Sequence, residues 1–190
     1  MKQLENSVVQ LIPMETCHIE GISKAAKDES IWTHMSVDLT QYSDVVTYVE
    51  AGIKKREEGR EFPFVIFNKK EQQIIGCTWF LDVDLTHKRL EIGSTWLHPH
   101  YWRSAINTNC KYLLLSYCFE ELKLNRVQIK TGHENLQSQQ AIERIGAKKE
   151  GVLRNHMIRR NGEIRHTVMY SVTIEDWLEI KKHLEENLLK

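Results

Sequence analysis

The sequence predicts an α+β fold, a mixed and mostly antiparallel central sheet flanked by helices, within a single domain over residues 1–190. Segments with the two-residue alternation of strands and the apolar stripe of helices follow in the order β, α, α, β, β, β, α, β, α, β, β, α. Two hairpin signals make most neighbouring strands antiparallel, and one strand–helix–strand run supplies a single parallel crossover. No repeat, low-complexity tract or Pro/Gly/Ser linker divides the 190 residues, a length that buries a core without staples.

A first strand is expected over Val8–Pro13. Helical material follows from His18 to Lys27 and from Gln41 to Glu58, where Val45, Val49 and Ile53 recur at every fourth residue. "FPFVIFN" (62–68) and "QIIGCTWFLDV" (73–83), joined by the polar "KKEQ", read as a hairpin. A strand over Glu91–Leu97 leads to a helix over Thr108–Leu122, with Cys110, Leu114, Tyr117, Cys118 and Leu122 on its inner face. "RVQIKT" (126–131) alternates as a strand, and Asn135–Ile145 follows as a short helix that Gly146 stops. Residues 151–172 hold two alternating runs around Asn161-Gly162, a strong hairpin dipeptide. A last helix carries Trp177, Ile180, Leu184 and Leu188 on one face.

Lysine plus arginine (26) equals aspartate plus glutamate (26), so no net field draws the chain to nucleic acid or to an anionic membrane. The first twenty residues hold no apolar run of signal-peptide length, and no window nears the roughly 20 apolar residues of a membrane span, so a cytoplasmic protein is expected. Cys17, Cys77, Cys110 and Cys118 stand singly in apolar contexts without CxxC spacing, and are expected to be reduced and buried. His98 and His100 flank Pro99, but no third and fourth ligand stands at zinc spacing.

The stretch "EIGSTWLHPHYWRSAINTNC" (91–110) runs from a strand into a helix. A helix N-terminus offers free N–H groups and the positive end of the dipole to an anion. The junction itself lacks glycine, yet Arg103 adds a permanent cation and Asn107 tolerates left-handed backbone. The plainer alternative makes Arg103 a solvated charge and Asn107 or Thr108 an N-cap.

"EIGSTWLHPHYW" with its helix, "FEELKLNRVQIKT", "ENLQSQQAIERIGAKKEGVLRNHMIR" and "NGEIRHTVMYSV" occur in this order over about residues 91–172. In these pieces the chain resembles the GNAT acyl-CoA N-acyltransferases, and within them the branch of the ribosomal-protein N-terminal acetyltransferases. The resemblance implies a V-shaped split between the strands at 91–97 and 126–131, with acetyl-CoA as co-substrate lying in it. Diverging strands leave backbone groups unpaired, and an amide-rich pantetheine arm can pair them. The implied cofactor contacts are Trp96, Leu97 and His98 on the strand, Arg103, Ser104, Ala105, Ile106, Asn107 and Thr108 at the pyrophosphate, and Asn135, Ser138 and Arg144 beyond. In the family the loop follows a Gln/Arg-x-x-Gly-x-Gly/Ala pattern. Here Ala105 takes the place of the central glycine, at a cost on the order of 1 kcal/mol if that position needs a positive φ.

Transfer of an acyl group to an amine needs a neutral amine, a stabilised oxyanion and a protonated leaving thiolate. The resemblance implies Glu91 as the base, with a strand-end ion pair as the alternative. His98 is a second candidate base, because its ordinary pKa lies near working pH. Backbone N–H groups around Trp96 to His98 are expected to hold the oxyanion. Asn135-x-x-Ser138 matches a family motif in which the Asn contacts pantetheine and the Ser protonates the thiolate. The alternative makes Asn135 a helix cap, Ser138 a first-turn residue and a bound water the acid. Trp32, between the first two helices, is expected beside the acceptor cleft.

The expected function is an acetyl-CoA-dependent N-acetyltransferase that acts on a primary amine, either a protein or peptide N-terminus or a small-molecule amine, by direct transfer in a ternary complex. The alternative is a catalytically degenerate acyl-CoA-binding regulatory module. The expected partner is the amine acceptor, without nucleic acid or membrane, and the exposed edge of the last hairpin leaves a homodimer open.

Overall fold

The computed structural model describes residues 1–189. Eight strands form one sheet, β1 (Leu4–Glu5), β2 (Val9–Pro13), β3 (Phe62–Asn68), β4 (Gln73–Asp84), β5 (Arg89–Leu97), β6 (Arg126–Gly132), β7 (Lys148–Ile158) and β8 (Ile164–Thr173). Their spatial order is β1-β2-β3-β4-β5-β6-β8-β7. Five helices, α1 (Ile19–Ala25), α2 (Tyr42–Glu57), α3 (Ile106–Ser116), α4 (Leu136–Arg144) and α5 (Ile174–His183), complete the α+β fold that the sequence predicts. The two-residue β1 is the one strand without a counterpart in the sequence reading, being too short to show periodicity.

Alternation along the strands divides the core between the two faces of the sheet. In β3, Phe64 and Ile66 belong to one continuous apolar core that also takes in Cys110 and Leu114 of α3 and Trp177 and Ile180 of α5. Val65, between them, joins Ile22 of α1 and Val45 and Val49 of α2 on the opposite face. Both faces are therefore covered, and β7, at the edge of the sheet, stays open to solvent.

Three sequence expectations are corrected. Helix α3 starts at Ile106, two residues before Thr108, and its final turn is a π-turn over Tyr117–Glu121 that keeps Tyr117, Cys118 and Phe119 buried. Cys17 is exposed, unlike the other three cysteines. Trp32 belongs to the core, where its Nε1–H donates to Ala26 O at 3.0 Å and its ring meets that of Trp96 at 5.2 Å.

Strands β5 and β6 pair in parallel through the α3 crossover, while every other strand pair of the sheet is antiparallel. Their pairing runs only from Arg89↔Arg126 through Leu90↔Val127 to Glu91↔Gln128. Beyond it β5 stays with β4 up to Leu97↔Gly76, and β6 stays with β8 up to Gly132↔Thr167. A bulge helps to turn β5 away: between the pairs Trp79↔Gly93 and Cys77↔Trp96 it carries one extra residue, and Ser94 takes φ 46°. Gly76 on β4 permits the close approach that this requires, since a Cβ there would lie 2.1 Å from the Trp96 carbonyl oxygen. Among the described residues no helix is long and apolar enough to cross a membrane.

Candidate active site

Where β5 and β6 part, a cleft of about 820 Å³ opens, walled by both strands, α3, α4, the β7–β8 hairpin and residues 30–36. Of the residues expected in a site, Glu91, Trp96, Leu97, Arg103, Ser104, Asn107, Asn135, Ser138 and Arg144 line it. His98, Ala105, Ile106 and Thr108 do not. The His98 ring is held on the outside, where Nδ1 accepts the His100 N–H at 3.2 Å and the ring stands edge-on to Tyr101. That placement moves the expected base role away from His98.

Glu91 occupies the vertex, as the last β5 residue paired with β6. It is 5% exposed. Its Oε2 accepts from Lys130 Nζ at 2.5 Å and from Gln128 Nε2 at 3.2 Å. Both partners come from β6, so the carboxylate spans the two strands where they begin to separate. The ion pair foreseen for Glu91 is thus present, but it is buried in the cleft rather than on the surface.

The backbone of β5 offers a donor to the cleft. His98 N–H is already given to Ile75 O at 2.9 Å, across β4. Because antiparallel pairing sends successive N–H groups to opposite sides, the Leu97 N–H points the other way, into the split. Of the three amides expected at an oxyanion, geometry therefore favours Leu97 and removes His98.

The phosphate end rests on a different backbone from the one the sequence suggested. Ala105 is the N-cap of α3 with φ −71° and ψ −9°, an ordinary right-handed conformation. The left-handed residue is Arg103, at φ 59°. No glycine is missing at position 105, and the strain sits on the exposed Arg103 instead. Ser104 Oγ accepts the Ile106 N–H at 3.3 Å, which leaves the Asn107 and Thr108 N–H groups without backbone acceptors at the first turn. Arg144, from α4, reaches the same turn and donates to Thr108 Oγ1 at 2.7 Å. A helix N-terminus and a guanidinium thus converge on one end of the cleft, an arrangement suited to a pyrophosphate.

At α4, Asn135 Oδ1 accepts the Ser138 N–H at 3.0 Å, so Asn135 is the cap that the plainer reading described. Both residues still face the cleft, and capping fixes their orientation.

Sequence reasoning missed Lys111. It is 5% exposed, lines the cleft, and donates to Thr95 Oγ1 at 2.8 Å, which in turn shares a hydrogen bond with Thr78 Oγ1. The signal was available, since Lys111 shares the helical face of the buried Thr108 and Leu115. Burial pulls its ammonium down to about 8. Burial pushes the Cys110 thiol up to about 12 and raises Cys77 and Cys118 as well, which leaves these sulfurs protonated and unsuited to carry an acyl group.

The split sheet and its cleft define the acyl-CoA N-acyltransferase architecture. The Acetyltransferase (GNAT) domain family matches residues 9–148, and the chain belongs to it. The chain is 25% identical over 176 residues to the uncharacterized N-acetyltransferase p20 of Bacillus licheniformis, covering 90% of this chain and 96% of p20. YdaF of Bacillus subtilis (strain 168), provisionally named a ribosomal N-acetyltransferase, is 34% identical over 96 residues, 50% of this chain and 51% of YdaF. A GCN5-related N-acetyltransferase from Brucella melitensis shares the fold at a TM-score of 0.92, with 24% identity over 98% of this chain and 85% of that one.

Three substitutions in and beside the cleft have distinct expected outcomes. Ala105→Gly changes the acetyl-CoA dissociation constant less than about two-fold, because no strain is relieved at an N-cap that glycine also suits. Arg103→Gly relieves about 1 kcal/mol of left-handed strain, raising Tm, while it weakens acetyl-CoA binding through loss of the cation. Calorimetric titration and thermal unfolding of both variants check this. For Lys111, the unfolded chain keeps the ordinary value of 10.5 and binds more protons than the native state between about pH 8 and 10.5. Its penalty is therefore full below about pH 8 and fades as pH rises through that window. At about 1.4 kcal/mol per pKa unit, Lys111→Met stabilises the protein at pH 7 by up to about 3 kcal/mol, a gain that shrinks toward pH 10 in urea denaturation.

Proposed function

We propose that this chain transfers an acetyl group from acetyl-CoA directly to a primary amine held with it in the cleft, a small-molecule amine or a protein or peptide N-terminus. Acetyl-CoA-dependent acetyl transfer is the general activity of the family to which the chain belongs. The observation that carries the reading for this chain is the coincidence, in one cleft, of an inward Leu97 N–H, a helix N-terminus with Arg144, and Glu91 at the vertex. The likeness to YdaF supports a protein N-terminus as one acceptor.

Bound acetyl-CoA would supply an activated acyl carbonyl and a thiolate leaving group. The Asn107 amide and Arg144 would hold the pyrophosphate, and Leu97 N–H would donate to the carbonyl oxygen as charge develops on it. Glu91 would take the proton from the incoming amine, through a water where the acceptor stands off, while Lys130 and Gln128 fix the carboxylate. Ser138, oriented through its amide by Asn135, would return a proton at the leaving sulfur. Ala105 departs from the family's glycine without backbone strain, so its departure gives no reason of its own to prefer the regulatory-module alternative.

Acetyl-CoA at millimolar concentration is expected to raise Tm by binding the native state. Thiol release with an accepted amine is expected to fall by about 100-fold in kcat for Glu91→Gln, with the acetyl-CoA-induced Tm shift retained. Ser138→Ala is expected to show a smaller loss of kcat, with the same retention. No Tm shift would remove the acyl-CoA reading. Unchanged kcat in both variants would remove the residue roles while leaving the cleft in place.

A further inference from the structure

On the acceptor side of the cleft the charges are unevenly matched. Glu91 is the single carboxylate lining the cleft among the described residues, and Lys130 and Gln128 already engage it. Arg159, on the loop after β7, is paired with Glu134. Arg165 of β8 also lines the cleft, yet its Nε is buried without a hydrogen-bond partner, and no carboxylate of the described residues lies within ion-pair distance. A guanidinium Nε–H shut off from both water and protein is costly, and such a donor ordinarily has a partner.

The surroundings prepare this place for an anion. Arg165 and Arg159 both pack over Gly132, where a Cβ would stand 3.3 Å from Arg165 Nε and 3.9 Å from an Arg159 terminal nitrogen. The bare backbone at the end of β6 lets two like charges share one site. His34 and His156 face the same space, with His156 Nδ1 hydrogen-bonded to Thr167 Oγ1 at 3.1 Å. Burial, and then the two arginines, lower the pKa of His34, so a third positive charge is disfavoured there. Burial and Arg159 lower that of Arg165, while Glu91 opposes them, so the carboxylate is near enough to be felt.

We propose that the acceptor is an amine that also bears an anionic group, a carboxylate or a phosphate, and that Arg165 receives the anion while the amine meets Glu91. This rests on the acetyl-transfer reading of the cleft. Separation of the two charges on the acceptor orients it, since Arg165 repels the ammonium and Glu91 repels the anion. A polyamine fits poorly, because it would bring several ammonium groups to Arg165 and Lys130 with one carboxylate, already engaged, to receive them.

The test uses the full chain with saturating acetyl-CoA. Thiol release is measured with the twenty amino acids against their amides, O-phosphoethanolamine against ethanolamine, and spermidine. The expected result is a kcat/KM at least about tenfold higher for anion-bearing members than for their neutral counterparts. The carboxylate and phosphate arms decide between the two anions. Arg165→Gln should collapse that ratio toward one through KM, Arg165→Lys should restore part of it, and the acetyl-CoA-induced Tm shift should be unchanged in both. Neutral amines or spermidine preferred by the wild type would overturn the proposal. So would an equal loss on both classes in Arg165→Gln, or thiol release with no anion-bearing member of the panel. If acetyl-CoA itself neither shifts Tm nor releases thiol with any amine, the acetyl-transfer reading fails, and this inference falls with it for that separate reason.

Discussion

The site depends on one interrupted interaction, the parallel pairing of β5 and β6, which lasts three residue pairs and ends at Glu91↔Gln128. Up to that point the ladder satisfies both backbones. Beyond it each strand keeps one antiparallel neighbour and loses the other, so one edge of each faces an opening in the middle of a sheet. A ligand with peptide-like donors and acceptors completes such a ladder at little conformational expense, because the strands are already held by β4 and β8. The α3 crossover that makes the pair parallel also sets its own N-terminus at the mouth of the same opening. The opening between the strands and the helix N-terminus at its mouth thus have a common topological cause.

Charge is distributed to match. Arg103 and Arg144 stand at the mouth beside the amides of α3, the Glu91–Lys130 pair stands at the vertex, and Arg165 stands toward the hairpin. Buried pairs such as Glu91–Lys130 seldom add net stability, because desolvation offsets the attraction, but removal of either partner leaves an uncompensated charge. The pair is better understood as fixing the carboxylate where the strands divide. Lys111 shows the same trade in plainer form, a buried ammonium with one neutral hydroxyl acceptor and no carboxylate in contact. Two of the seven non-glycine residues with positive φ, Ser94 and Arg103, line the cleft.

Much of this was legible in the sequence, and the exceptions have physical reasons. Long periodic segments such as Tyr42–Glu57, and the Asn161-Gly162 turn, declare themselves because burial on one face and a positive φ at Gly162 each need particular residues. The placement of Glu91, Asn135 and Ser138 along one cleft was implied by the resemblance of their motifs to the family's. What escaped was tertiary. Ala105 resembled a lost glycine only while the left-handed residue was assumed to be there; the chain puts that conformation on Arg103, which no residue preference announces. His98 reads as a base by its chemistry, yet the direction of its ring depends on the turn over Pro99–Tyr101. The partnerless Nε of Arg165 and the contact between Arg144 and Thr108 join residues far apart in sequence, and no local pattern encodes them.

In the proposed reading the gap between β5 and β6 receives acetyl-CoA through the backbone of β5. Residue-resolved amide hydrogen exchange, with and without acetyl-CoA, reports on that contact. The Leu97 amide, turned into the gap, should exchange markedly more slowly when acetyl-CoA is present. The neighbouring His98 amide, bonded to Ile75 in either state, should change little and serves as the internal reference. Binding of acetyl-CoA with no slowing at Leu97 would show that the cofactor lies elsewhere than in the split.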